Sequence, residues 1–114
     1  VLKRIEQGEI VNQVSKIRPD IRIGKYGWVL GPMYETQAEI INMQNQGVSA
    51  VGMSTVPEIM MASKLNVDLL VLSLMSNYGV GLTQDTLTHQ TVLDNSIKYN
   101  EQFKLVLISI LSDI

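Results

Sequence analysis

The chain has 114 residues and a mass of 12.7 kDa, with 46% hydrophobic and 18% charged residues and a net charge of −2 from 9 basic and 11 acidic side chains. That size fits one small domain of ~100–150 residues, and the charge balance lacks the basic excess that a nucleic-acid partner requires. With no Cys, a disulfide scaffold, a thiolate metal site and a Cys nucleophile are excluded.

The charged share lies below the ~25% typical of soluble domains, which argues for a folded chain with surface that something else covers. The most apolar run, 69–75, falls far short of the ~20 residues that span a bilayer, so no membrane partner is expected. Val1-Leu2-Lys3-Arg4 lacks the apolar stretch of a signal peptide. With Val rather than Met at position 1, the expectation is a chain processed, trimmed or cut from something longer, and the lack of Cys fits a cytoplasmic location.

Leu2, Ile5, Ile10, Val14 and Ile17 recur at near-helical spacing and predict a first helix, weakened at Gly8 and ended by Arg18-Pro19. Residues 21–30 read as a strand with a bend or bulge at Gly24 and Gly27. Gly31-Pro32 breaks it, and Thr36-Gln-Ala-Glu39 matches a capping box opening a helix over 37–46 that Gly47 stops. Residues 48–52 form a short apolar strand. Thr55-Val-Pro-Glu58 matches a second capping box, with Pro in the first turn of a helix to Leu65. Residues 67–75 are nearly all apolar and read as a strand buried on both faces. A Gly-containing loop follows over 77–87. A long helix then starts near His89, with Val92, Leu93, Ile97, Phe103, Val106, Leu107, Ile110 and Leu111 on one face. The alternation of helices and strands predicts an α/β layered fold, a central, mostly parallel sheet flanked by helices. Three strands make a thin sheet with missing partners.

In open α/β sheets, ligands bind at the carboxyl ends of the strands. Those ends hold residues 31–36, 52–55 and 76–78: a carboxylate, an aromatic ring, a hydroxyl and a carboxamide. The set suits a polar heterocycle joined to an anion. Ser54 reads as a phosphate ligand at a helix start or as an ordinary N-cap; taken alone, the cap is the better reading. Glu35 is an acceptor for ring N–H groups or a favourable charge at a helix start. Asn77 is a donor to a ring nitrogen or a turn residue. Tyr34 and Met53 pack on a flat ligand or in the core. His89, the one His, is a cap or surface residue on its own merits. One His, no Cys and no clustered carboxylates predict no metal site.

Two strings are far more specific. Gly31-Pro-Met-Tyr-Glu-Thr-Gln-Ala-Glu39 resembles the GPxYETxAE segment of purine nucleoside phosphorylases, and Val51-Gly-Met-Ser-Thr-Val-Pro-Glu58 matches their VGMSTVPE segment without a change. Residues 72–77, Gly81 and Leu87-Thr-His89 resemble a third region of the trimeric branch. The likeness is close over about 20–95. It implies a nucleoside-phosphorylase-like fold and reversible phosphorolysis of inosine, guanosine and their deoxy forms to the free base and (deoxy)ribose 1-phosphate. Inorganic phosphate is then a co-substrate, and no cofactor is needed. The resemblance implies that Glu35 recognises the N–H of a 6-oxopurine and that Tyr34 packs on the base. Asn77, the catalytic residue, hydrogen-bonds the base and stabilises charge on the leaving purine. Met53 and His89 face the ribose, and Ser54 contacts phosphate. A sister branch acting on methylthioadenosine carries Ser, Asp and Thr where this chain has Glu35, Asn77 and Ser54, so the 6-oxopurine pattern is the one present. Tyr78-Gly79-Val80 departs from the family's small-residue stretch after the Asn. Residues 1–114 resemble the C-terminal portion of a single phosphorylase domain, which implies a homotrimer once the N-terminal half, with its Gly-rich phosphate loop, is supplied. The alternative is an inactive remnant that serves as a purine-binding or interaction module.

Overall fold

The computed structural model describes residues 9–84, 86 and 88–113. Helix α1 (Glu9–Ile17) is the described part of the first predicted helix, whose remainder, including Gly8, lies outside the described residues. Strand β1 (Lys25–Trp28) follows. It is shorter than the predicted 21–30, because pairing begins only beyond Gly24. A Cβ on Gly24 would lie 2.7 Å from the Ser49 side chain. The register shifts between Lys25 and Tyr26, next to the glycine where a bulge was expected.

Helix α2 (Gln37–Asn45) opens on the predicted capping box. The Glu39 amide donates to Thr36 Oγ1 at 3.3 Å, and the Thr36 amide donates to Glu39 Oε2 at 2.7 Å. Gly47 ends the turn after α2 at φ +74°, the left-handed conformation that glycine adopts at no steric cost. Strand β2 (Val48–Gly52) then runs parallel to β1, with Tyr26 opposite Ala50 and Trp28 opposite Gly52. The Val29 amide extends the pairing by donating to the Gly52 carbonyl at 3.1 Å.

Helix α3 (Val56–Leu65) starts with Pro57 in its first turn, as predicted. The second capping box does not form. Thr55 sits at the cap with φ +78° and makes no side-chain cap bond. A side-chain cap needs extended backbone at that residue, and Thr55 is turned away from it. Its Oγ1 instead lies 3.4 Å from Ser54 Oγ. Asn66, in the left-handed region, closes the other end of α3.

Residues 67–76 are not a strand. Among the described residues the sheet has two strands, not three. Leu70 and Leu72 are half-buried, whereas Val67, Leu69, Val71, Leu74 and Met75 are exposed, so burial on both faces is not realised. An apolar run specifies a need for burial; a strand also needs a neighbour's backbone in register. No described segment offers one.

Helix α4 (His89–Asp113) starts where predicted and is the longest element. It packs against α1. Ile110 is 1% exposed, and among the described residues it, Val14 and Ile40 are the buried hydrophobic side chains. The predicted apolar face is only partly used: Phe103, Val106 and Leu107 are half-buried, while Leu93, Ile97 and Leu111 are exposed. At the far end of α1, Arg18 pairs with Asp20 at 2.6 Å and donates to Ser109 Oγ of α4 at 3.2 Å. The expected shortage of partners for the apolar surface matches these exposed side chains.

Two measurements test this packing. Ile110→Ala should destabilise the chain by about 2–5 kcal/mol in chemical denaturation, and Ile97→Ala, at a position 76% exposed, should stay within about 0.5 kcal/mol of the unmutated chain. The Thr36 backbone and hydroxyl hold the Glu39 carboxyl below its ordinary range. A depressed folded-state value means that the unfolded chain binds the proton first. The box therefore stabilises above the ordinary carboxylate range and is lost as pH falls through the lowered value. Glu39→Gln should flatten the acid limb of a stability–pH profile and leave the neutral limb parallel.

Candidate functional site

Parallel strands share a direction, so the carboxyl ends of β1 and β2 open at one edge of the sheet. The first leads into residues 31–36 and the second into 53–55. Three contacts tie the second loop to β1 and to the first loop. Trp28 Nε1 donates to the Met53 carbonyl at 3.3 Å, and Tyr26 Oη donates to the Ser54 carbonyl at 3.3 Å. Gly31, at φ +66°, is covered by the Met53 side chain; a Cβ there would meet Met53 Sδ at 2.6 Å. Gly52 leaves room for the Tyr26 ring, which a larger residue would strike. Met53 and Ser54 are thus held by β1 side chains, and both face outward.

The third loop reaches the same place by a different route. Gly79 lies against Ile40, where a Cβ would sit 2.9 Å from Cδ1, and Gly81, at φ +81°, lies against Gln37. The segment after Asn77 therefore packs on the first turns of α2, directly beyond Glu35 and Thr36. Leu82 N donates to the Gly79 carbonyl at 3.2 Å and closes a turn there. From the other side, Tyr34 Oη lies 3.4 Å from His89 Nδ1, joining the first loop to the start of α4. A Tyr hydroxyl donating to Nδ1 leaves the proton on Nε2 as the free donor.

Of the six predicted site residues, Tyr34 and His89 touch directly, and Met53 and Ser54 are consecutive on one loop. Glu35 and Asn77 are half-buried on the two loops that flank the start of α2. No hydrogen bond joins the two side chains. Asn77 is occupied locally: its Oδ1 accepts from Ser76 Oγ at 2.6 Å and its Nδ2 donates to the Tyr78 carbonyl at 3.0 Å. A ligand acceptor would take over the second of these bonds. Leu87, part of the third motif, lies outside the described residues. Ser54 is not the helix cap; Thr55 holds that position, so the bland reading of Ser54 fails here. Thr55 is a β-branched residue in the left-handed region, a conformation that costs about 1–3 kcal/mol and tends to persist where a loop meets a ligand.

Sequence reasoning missed Tyr26 and Trp28. Both looked like ordinary strand residues, and their polar tips reach across to the neighbouring loop. The signal was a Tyr and a Trp two apart, hence on one face of the strand, next to a Gly-bearing strand that gives them room.

Elsewhere, an apolar cavity of about 430 Å³ lies between α1, Leu70, Leu72 and the Phe103–Leu107 face of α4. Its described lining side chains are all apolar and none can recognise a heterocycle by hydrogen bonding, so the loop cluster is the better candidate. Among the described residues, no three His, Cys, Asp or Glu side chains gather as a metal site. No described helix is long and apolar enough to cross a membrane.

The chain matches the phosphorylase superfamily over residues 2–112. It is 37% identical over 103 residues to purine nucleoside phosphorylase 1 of Bacillus subtilis, covering 86% of this chain and 38% of that protein. It is 40% identical over 83 residues to purine nucleoside phosphorylase 1 of Geobacillus stearothermophilus, covering 73% of this chain and 30% of that one. A probable 6-oxopurine nucleoside phosphorylase of Thermococcus kodakarensis is 32% identical over 85 residues, 75% of this chain and 32% of the relative. Among solved structures, schistosoma purine nucleoside phosphorylase in complex with hypoxanthine superposes with a TM-score of 0.84 at 24% identity, over 93% of this chain and 41% of that one. That likeness establishes the fold, an α/β arrangement shared with the phosphorylase. The chain thus spans two-fifths or less of the curated relatives named here. Matched over nearly all its length, it belongs to the phosphorylase superfamily.

Proposed function

We propose that the chain supplies the base- and ribose-recognising half of a purine nucleoside phosphorylase site. In this reading, residues 1–114 are the C-terminal portion of one phosphorylase domain, acting in the cytoplasm within a homotrimer. The reaction is reversible phosphorolysis of inosine, guanosine and their deoxy forms. A phosphate oxygen bonds to C1′ as the C1′–N9 bond breaks, and the purine leaves with the bonding electrons. Inorganic phosphate is the co-substrate, and no cofactor takes part.

The observation that carries this reading is that Met53 of the 53–55 loop lies on Gly31, the 77–81 segment packs on the first turns of α2, and His89 meets Tyr34, so that all three adjoin the 31–36 loop and the helix it starts. Glu35 accepts from the ring N–H that a 6-oxopurine has and adenine lacks. Tyr34 stacks on the ring. Asn77 Nδ2, released from the Tyr78 carbonyl, donates to the base as negative charge grows on it. A donor aimed at the charge that develops on the leaving base lowers the barrier to its departure. Met53 lines the sugar, His89 Nε2 reaches its 5′ hydroxyl, and Ser54, freed from capping, meets phosphate at the α3 end.

The test is incubation of the chain with inosine, with and without phosphate, following free hypoxanthine. Phosphate-dependent release supports a complete site assembled by the chain or its associated copies. Binding of hypoxanthine without release favours the second reading, an inactive remnant that serves only as a purine-binding module. If neither release nor binding occurs, the site assignment fails. In calorimetric titration, hypoxanthine and guanine should bind at least tenfold tighter than adenine. Glu35→Gln should weaken guanine by about tenfold, and hypoxanthine by less, because guanine's amino group adds a second donor to the carboxylate.

A further inference from the structure

One half-buried contact ties the longest helix to the base-recognising segment. Asn95, in the second turn of α4, donates from Nδ2 to the Ser76 carbonyl at 2.7 Å. That oxygen belongs to the planar peptide unit joining Ser76 to Asn77. Fixing it fixes the direction in which the Asn77 backbone, and with it the side chain, leaves the segment. The need for an external hold is plain. Residues 67–76 stand outside the sheet, and among the described residues no backbone–backbone hydrogen bond falls on 68–78. In a paired strand, a neighbour's N–H would take this carbonyl; here a side-chain amide from α4 does so. Ser76 Oγ, bonded to Asn77 Oδ1 at 2.6 Å, and the Tyr78 carbonyl, which accepts from Asn77 Nδ2 at 3.0 Å, then set the rotation of the carboxamide. Asn95 also shares α4 with His89, six residues away and about 9 Å along the axis. One rigid helix thereby governs the groups at both ends of the cluster.

We infer that Asn95 is a positioning residue for Asn77, holding the 76–77 peptide so that the carboxamide is presented to the base. The inference rests on the reading of Asn77 given above. Asn95 touches no substrate; it acts through geometry, where displacements of about 1 Å are costly.

The test uses the full chain labelled with ¹⁵N. In the unmutated chain, the Asn95 side-chain amide protons should show nuclear Overhauser contacts to Ser76 and Asn77; their absence overturns the inference without any substitution. Asn95→Asp keeps the size and removes the donor, and Asn95→Ala removes the group. Each should move or broaden the Asn77 side-chain amide signals in the ligand-free chain. Each should weaken hypoxanthine binding about five- to tenfold. In an Asn77→Ala background, Asn95→Ala should have no further effect on binding. A purely structural Asn95 would instead lower the melting temperature and give losses that add to those of Asn77→Ala. Unmoved Asn77 signals, or additive losses, overturn the inference. Failure of the unmutated chain to bind hypoxanthine overturns the reading of the purine site alone, because the ligand-free Asn77 signals still decide the role of Asn95.

Discussion

Parallel pairing of β1 with β2 is the constraint on which the rest of the molecule depends. Because both strands point the same way, their exits lie side by side, and the helix between them must cross back over the sheet. That crossing places α2, and the loop that starts it, beside the exit of β2. The juxtaposition of the first two loops of the candidate site follows from this placement. Met53 can cover Gly31 only because the two strand ends are adjacent. The Tyr26 and Trp28 tips can bond the Met53 and Ser54 carbonyls only because β1 and β2 are neighbours. An antiparallel pair would have put the two loops at opposite ends of the strands.

Features encoded by a few consecutive residues were legible in the sequence. Thr36 and Glu39 cap α2 as their spacing dictates, Gly47 adopts the left-handed turn, and Pro57 opens α3. Each involves groups within one helical turn, so local chemistry decides it. Thr55 shows the limit of that logic. Its spacing to Glu58 fits a capping box, yet the loop that must meet β1 rotates it into positive φ. Residues 67–75 show the same limit on a larger scale. Their composition states what they must bury, and nothing in a single segment states which backbone it pairs with.

The site divides along the same line. Tyr34, Glu35, Met53, Ser54, Asn77 and His89 stand out as candidates in the motifs, because a side chain's own chemistry shows in the sequence. The supports were not. The Asn95 amide reaches a carbonyl 19 positions earlier in the chain, and the Tyr26 hydroxyl reaches one 28 positions later. Such bonds use ordinary polar residues at spacings with no periodicity, so no pattern announces them.

Trp28 has a consequence of its own. It is the one tryptophan of the chain, it is partly exposed, and its indole N–H is bonded to the backbone of Met53. Indole emission responds to the hydrogen bonding and polarity around the ring. The protein therefore carries an optical reporter at the hinge of its two strand-end loops, and intrinsic fluorescence gives a label-free view of events there at concentrations far below those of calorimetry or spectroscopy on labelled chains.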